Sequence, residues 1–157
     1  MQFNKKNILI YISPLILLLL DQLTKYLMLK RDADQGIFLI QKDNFVFSFQ
    51  LIKNPDLAFS LSLPQTAIFL IISAIIIVLG IFLYKSFKKG DLFLFFSFLL
   101  IISGAISNLI DRIIHGAVID FISFNIVSFQ FAVFNLADVW IVLGVALLIF
   151  KEPFKVK

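Results

Sequence analysis

Apolar residues gather along the chain in four long runs, at about residues 8–29, 67–84, 92–114 and 133–150. Each approaches the roughly 20 residues that a helix needs to cross a bilayer. A helix satisfies its own backbone hydrogen bonds, which lipid cannot do for it. The first run follows Lys5 and Lys6, as the apolar core of a signal peptide would. No small-residue cleavage site follows, however, and the run continues through DQLTKYLMLK, so it reads as a retained helix with a mild kink at Pro14.

The connections carry a different pattern. In residues 30–66, GIFLI and FVFSFQLI flank the turn-like QKDN, which predicts a β-hairpin. Residues 115–132 contain VIDFISFNIVSFQF, again rich in Phe and Ile and poor in charge. There is no internal repeat and no low-complexity linker. The pattern predicts a mainly α membrane protein forming a single domain over residues 1–157. Its four-transmembrane-helix bundle carries a small β-hairpin or sheet between helices one and two, and an arm between helices three and four.

Composition sharpens this. The hydrophobic fraction is 61%, with 20 Phe, and the mean hydropathy is +1.01. Soluble domains hold about 45–50% apolar residues, and a chain this short has too little interior to hide the excess. There is no Cys, which excludes disulfides, thiolate metal sites and Cys nucleophiles. The single His, His115, excludes any site that needs two.

The net charge of +4 is a topology signal. With four spans, the N-terminal tail, the KSFKKGD loop and the C-terminal tail share one side. That side carries Lys5, Lys6, Lys85, Lys88, Lys89, Lys151, Lys155 and Lys157 against Asp91 and Glu152. The rest of the chain is net acidic. Basic short loops stay cytoplasmic, so both termini are expected inside and residues 30–66 and 115–132 outside. The basic excess therefore calls for no nucleic-acid partner.

This topology puts the polar residues of the spans at one depth. Asp21 and Lys25 lie in the outer half of helix one, Asn108, Asp111 and Arg112 at the outer end of helix three, and Asn135 and Asp138 at the outer start of helix four. Asp120 follows helix three by a few residues. Ionisable groups in lipid must face the bundle interior or a wet cavity. Asn108, Asp111 and Arg112 share a face at i, i+3 and i+4, and Asp21 and Lys25 are spaced for an ion pair. The expected result is one polar pocket, open to the outside, walled by helices one, three and four.

Little chemistry remains open to such a pocket. Ser107 and His115 are two helical turns apart, with no nucleophile motif around any Ser. A metal site of Asp and Asn alone lacks softer ligands, so neither metal nor cofactor is expected. Paired carboxylates remain: one keeps a proton and donates it while the other activates water. Asp120 in VIDFI and Asp138 in NLADVW are the best pair. Asp111 is weaker, since adjacent Arg112 offers it a partner. Two structural aspartates would also account for these residues, because Asp138 suits a helix N-terminus whatever its function. A non-enzymatic carrier or assembly factor binding lipid or peptide in the same pocket is the alternative from another class.

Four blocks carry a resemblance: DQLTK at 21–25, NPDLAFS at 54–60, SGAISNLIDRIIHGAVIDF at 103–121 and FNLAD at 134–138. With the length and the four spans, they make the chain resemble lipoprotein signal peptidase, or signal peptidase II. The resemblance implies an aspartic endopeptidase of the bacterial inner membrane. Such an enzyme cuts signal peptides from lipid-modified precursors just before the diacylglyceryl-Cys. It implies Asp120 and Asp138 as the catalytic pair, and Asn54, Asn108, Arg112 and Asn135 as substrate-site residues. Asp21, Lys25 and Asp111 would be supporting polar residues. Membrane lipids and globomycin-type inhibitors are further implied partners, and nothing requires more than a monomer. Pro55-Asp56, Ser103 and Ser107 depart from the family pattern without touching either aspartate.

Overall fold

The computed structural model describes residues 5–31, 36–42, 44–56, 63–127 and 129–151. Four helices dominate: α1 (Lys5–Leu29), α2 (Gln65–Lys88), α3 (Leu92–His115) and α4 (Leu136–Lys151). The first three are each long and apolar enough to cross a membrane. α4 has 16 residues, about 24 Å at 1.5 Å per residue, and packs along α3.

The helices are turned inside out relative to a soluble bundle. On α1, Leu19 and Leu23 are 55% and 53% exposed, whereas Asp21 and Lys25 are 0% and 1% exposed. That inversion suits a hydrocarbon solvent, which accepts leucine freely and charge only at great cost. α2 follows the same rule, burying only Ile68 and Ser86.

α3 is the central helix. Asp91 caps its start by accepting from the Leu94 N–H at 3.1 Å. Gly116 ends it in the left-handed region at φ 71°, where its N–H donates to the Arg112 carbonyl. Glycine adopts that conformation without the Cβ clash other residues suffer. Against α4, the backbones come unusually close. A β-carbon on Gly104 would stand 2.3 Å from the Ala137 carbonyl oxygen, and one on Gly144 2.6 Å from that of Ser97. At the far end of the pair, Lys151 forms an ion pair with Asp91.

The expected hairpin is present as β1 (Ile37–Lys42) and β2 (Phe45–Asn54), paired antiparallel. The arm between α3 and α4 differs from the expectation of a separate element. It forms β3 (Val118–Ile126) and the short β4 (Phe129–Gln130), giving one four-stranded sheet in the order β1-β2-β3-β4. The pairing of β2 with β3 is cemented by aromatic side chains: Phe47 stacks on Phe124 at 4.6 Å, and Phe124 on Phe134 at 5.8 Å. Such cross-strand pairs stabilise a sheet beyond its backbone bonds. The register places Ile52 opposite Asp120 and Asn54 opposite Val118. The end of β2 thus lies beside the start of β3, next to the C-terminal end of α3.

Candidate active site

The polar residues singled out from the sequence converge on the junction of α1, α3, β3 and α4. Asp120 lies on β3, 3% exposed, and so comes from a strand rather than a loop. Asp138 lies in the first turn of α4. Two asparagines link them. The Asn135 amide donates to Asp120 Oδ1 at 2.7 Å, while the Asn135 backbone N–H donates to Asp138 Oδ2 at 3.2 Å. Asn108 Nδ2 donates to Asp138 Oδ1 at 2.9 Å. Asn54, at the end of β2, donates to Asp120 Oδ2 at 3.1 Å.

Each carboxylate therefore has two donors, and the two aspartates share one amide network. Burial pushes the Asp120 carboxyl up from 3.8 to about 6. The hydrogen bond from Asn54 opposes this, the nearby Asp138 charge adds to it, and the Asn135 bond and Lys25 charge oppose it. A carboxyl in that position exchanges its proton near neutrality.

The supporting residues form a second layer. Lys25 pairs with Asp21 at 2.6 Å and with Asp111 at 2.7 Å, and all three side chains are buried. The expected partnership of Asp111 with Arg112 is not what forms. Successive residues on a helix point in different directions, and Asp111 turns inward to Lys25 while Arg112 turns toward β2. Arg112 donates to the carbonyl oxygens of Asp56 at 2.9 Å and Asn108 at 3.3 Å. Its Nε is buried without a hydrogen-bond partner among the described residues. Arg112 also lines a small cleft with Pro55, Gln65, Ile68, Phe69 and Ile113. Of the NPDLAFS block, residues 57–60 lie outside the described residues.

One contributor escaped the sequence reading. Gln22 donates to Asp111 Oδ1 and to Ser107 Oγ, both at 2.9 Å, tying α1 to α3. A polar residue inside an apolar run was signal enough to find it. Ser107 donates to Asp21 Oδ2 at 2.6 Å, so its hydroxyl is engaged in the polar layer, while His115 is exposed at the helix end. Among the described residues, no group of three or more His, Cys, Asp or Glu is arranged to hold a metal ion.

A polytopic helical protein with two amide-linked aspartates beside its bundle is the class of molecule these features define. A family model described as signal peptidase (SPase) II matches residues 14–154. The chain is 38% identical over 142 residues to a lipoprotein signal peptidase of Thermodesulfovibrio yellowstonii, covering 90% of this chain and 92% of that protein. It is 40% identical over 141 residues to the lipoprotein signal peptidase of Halothermothrix orenii, covering 89% and 92%. A solved structure described as a bacterial membrane enzyme superposes with a TM-score of 0.77 at 29% identity, over 99% of this chain and 93% of the other. The chain belongs to the signal peptidase II family, a family of membrane peptidases.

Proposed function

We propose that the protein is an aspartic endopeptidase that removes signal peptides from lipid-modified lipoprotein precursors, cutting just before the diacylglyceryl-Cys. One observation carries this reading within the family. Asp120 and Asp138, from different elements, are held by a common Asn108–Asn135 amide network.

The chemistry follows from one proton shared between two carboxyls. The ionised aspartate takes a proton from a water molecule, whose oxygen attacks the carbonyl carbon before the Cys. The protonated aspartate donates to the carbonyl oxygen, giving a neutral tetrahedral diol. Collapse breaks the C–N bond, and the Cys nitrogen leaves with a proton as a free amine. The signal peptide leaves as a carboxylic acid, and no metal or cofactor enters the balance. Holding water and carbonyl together in a site walled from lipid removes much of the barrier, on the order of several kcal/mol.

Arg112 and Asn54 border the dyad and suit an extended substrate backbone, whose carbonyls find no donors in lipid. The basic ends of the helices argue for both termini in the cytoplasm, four crossings of the bacterial inner membrane, and a site near the outer leaflet. The substrate's lipid then stays in the bilayer while its scissile bond meets water. A globomycin-type inhibitor would occupy the same site, and a monomer suffices.

The test is cleavage of a diacylglyceryl-modified precursor in liposomes. Asp120→Asn and Asp138→Asn are each expected to lower kcat by about 10³-fold or more, as loss of a general acid or base does. Near-normal turnover by either variant sinks the dyad and favours a carrier or scaffold. Equal cleavage of the unlipidated precursor sinks the substrate class. Activity lost in EDTA and regained with a divalent ion would replace the metal-free mechanism.

A further inference from the structure

The reaction leaves the buried Asp21–Lys25–Asp111 cluster without a part to play. Lys25 is 1% exposed. An ammonium offers three N–H donors and no acceptor. Three oxygens meet them: Asp21 Oδ2 at 2.6 Å, Asp111 Oδ2 at 2.7 Å and Asn108 Oδ1 at 2.9 Å. Both carboxylates are in turn anchored to backbone. The Ala137 N–H donates to Asp21 Oδ1 at 2.8 Å, and the Ile119 N–H to Asp111 Oδ2 at 3.1 Å. The position of the ammonium is thus referenced to α1, α3, β3 and α4 together.

The third contact has a directional consequence. A carboxamide has one accepting end and one donating end. Only the oxygen of Asn108 can face an ammonium, so its NH₂ must point away, and it meets Asp138 Oδ1 at 2.9 Å. The Asn135 amide meets that same Asn108 oxygen at 3.1 Å and Asp120 Oδ1 at 2.7 Å. A reversed Asn108 would set NH₂ against the ammonium and against the Asn135 NH₂, and oxygen against the Asp138 carboxylate. Every one of those contacts would change from attraction to repulsion.

We propose that Lys25 is a positioning residue, whose buried charge fixes the direction of the Asn108 carboxamide and so holds Asp138 in register with Asp120. This rests on the reading of Asp120 and Asp138 as the dyad. Lys25 touches neither aspartate; it acts through Asn108. Asp21 and Asp111 keep the ammonium in place, so two carboxylates face one cation and the cluster carries one net negative charge.

The test is a kinetic double-mutant cycle on the full-length protein in liposomes with a diacylglyceryl-modified precursor. The first perturbation is Lys25→Gln with Asp111→Asn, which keeps the cluster's net charge. The second is Asn108→Ala. The first is expected to lower kcat by about tenfold or more, the effect of losing one charge-assisted hydrogen bond, with KM little changed. In the Asn108→Ala background, the first perturbation is expected to lower kcat no further. Losses that multiply, or wild-type kcat in the Lys25→Gln/Asp111→Asn protein, overturn the proposal. If that protein does not accumulate, the cycle is run with Lys25→Gln and Asp21→Asn, which also removes the ammonium and keeps the cluster's net charge, and the same outcomes decide. Asp138→Asn is assayed alongside. An inactive Asp138→Asn with multiplying losses removes only the positioning role, whereas an active Asp138→Asn removes the dyad itself.

Discussion

Gly104→Ala tests whether helix packing sets the geometry of the site. The added β-carbon would lie 2.3 Å from the Ala137 carbonyl oxygen and 2.8 Å from Ile141 Cγ1. Comfortable separations are about 3.5 Å, so α4 has to retreat from α3 by roughly 1 Å. Such overpacking costs about 1–3 kcal/mol. The displaced turn also carries Asp138, one residue beyond Ala137, while Asp120 stays on β3. A misplacement of about 1 Å between reacting groups costs on the order of 10²-fold in rate. Single-turnover cleavage of a lipidated precursor should therefore slow by about that factor, well beyond the loss of stability seen in thermal unfolding. Gly80→Ala is the control, because nothing stands within 4 Å of its β-carbon. Ile141→Val should not rescue Gly104→Ala, since the worst contact is with backbone. If Gly104→Ala cleaves within about threefold of wild type, a change of under 1 kcal/mol, the α3–α4 seam yields without moving Asp138 and the reasoning fails.

Other consequences are open to direct measurement. Asp120 titrates near 6 in the folded protein against 3.8 ordinarily, so its charge is disfavoured by folding. Its contribution is fully present below about pH 4 and is lost as pH rises through 6, to about 3 kcal/mol at roughly 1.36 kcal/mol per pH unit. The stability of wild type relative to Asp120→Ala should accordingly fall between pH 4 and 7 in denaturation assays, and a rise would contradict it. Gly116→Ala places a β-carbon at φ 71° with only Gln65 Nε2 within 4 Å, so it should lower stability by about 1–2 kcal/mol through backbone strain. Asn135→Ser keeps a cap oxygen for α4 but loses the amide to Asp120; it should unfold near the wild-type temperature yet cleave at least tenfold more slowly, on the order of one lost hydrogen bond to a charge.

Much of this was legible in the sequence, for identifiable reasons. Apolar runs marked the helices because lipid imposes the same demand on every turn. QKDN marked the β1–β2 hairpin because its signal is local. That Asp21, Asn108, Asp111 and Asp138 would meet in one polar cluster, as they do, followed from counting spans. The union of β3 with the hairpin was not legible, because the Asn54–Val118 register joins residues 64 apart in the chain and periodicity carries no information about such pairing. The Asp111 partner was misassigned for a similar reason. Arg112 is its neighbour in sequence, but Lys25 on α1 is its neighbour in space. Gln22 was overlooked because its side chain is neutral, although lipid penalises an unpaired amide as well as a charge.

The sequence posed a choice between Asp138 as a helix cap and Asp138 as a reacting group, and the geometry of the cap is compatible with both roles. Asn135 precedes α4, and its Oδ1 accepts from the Asp138 N–H at 3.0 Å while Asp138 Oδ2 accepts from the Asn135 N–H at 3.2 Å. That is the reciprocal pattern of a capping box, with residues at i and i+3 satisfying each other's backbone. The cap uses only the oxygen of the Asn135 amide, which leaves its NH₂ to reach Asp120. It likewise uses one oxygen of Asp138 and leaves the other to Asn108. A Ser at position 135 could cap but has no second arm, and a Glu at 138 could close the box but would carry its carboxylate about 1.5 Å further out on the extra methylene. Asparagine and aspartate at this spacing meet both demands, so on the proposed reading one pair of residues in FNLAD caps α4 and holds the dyad together.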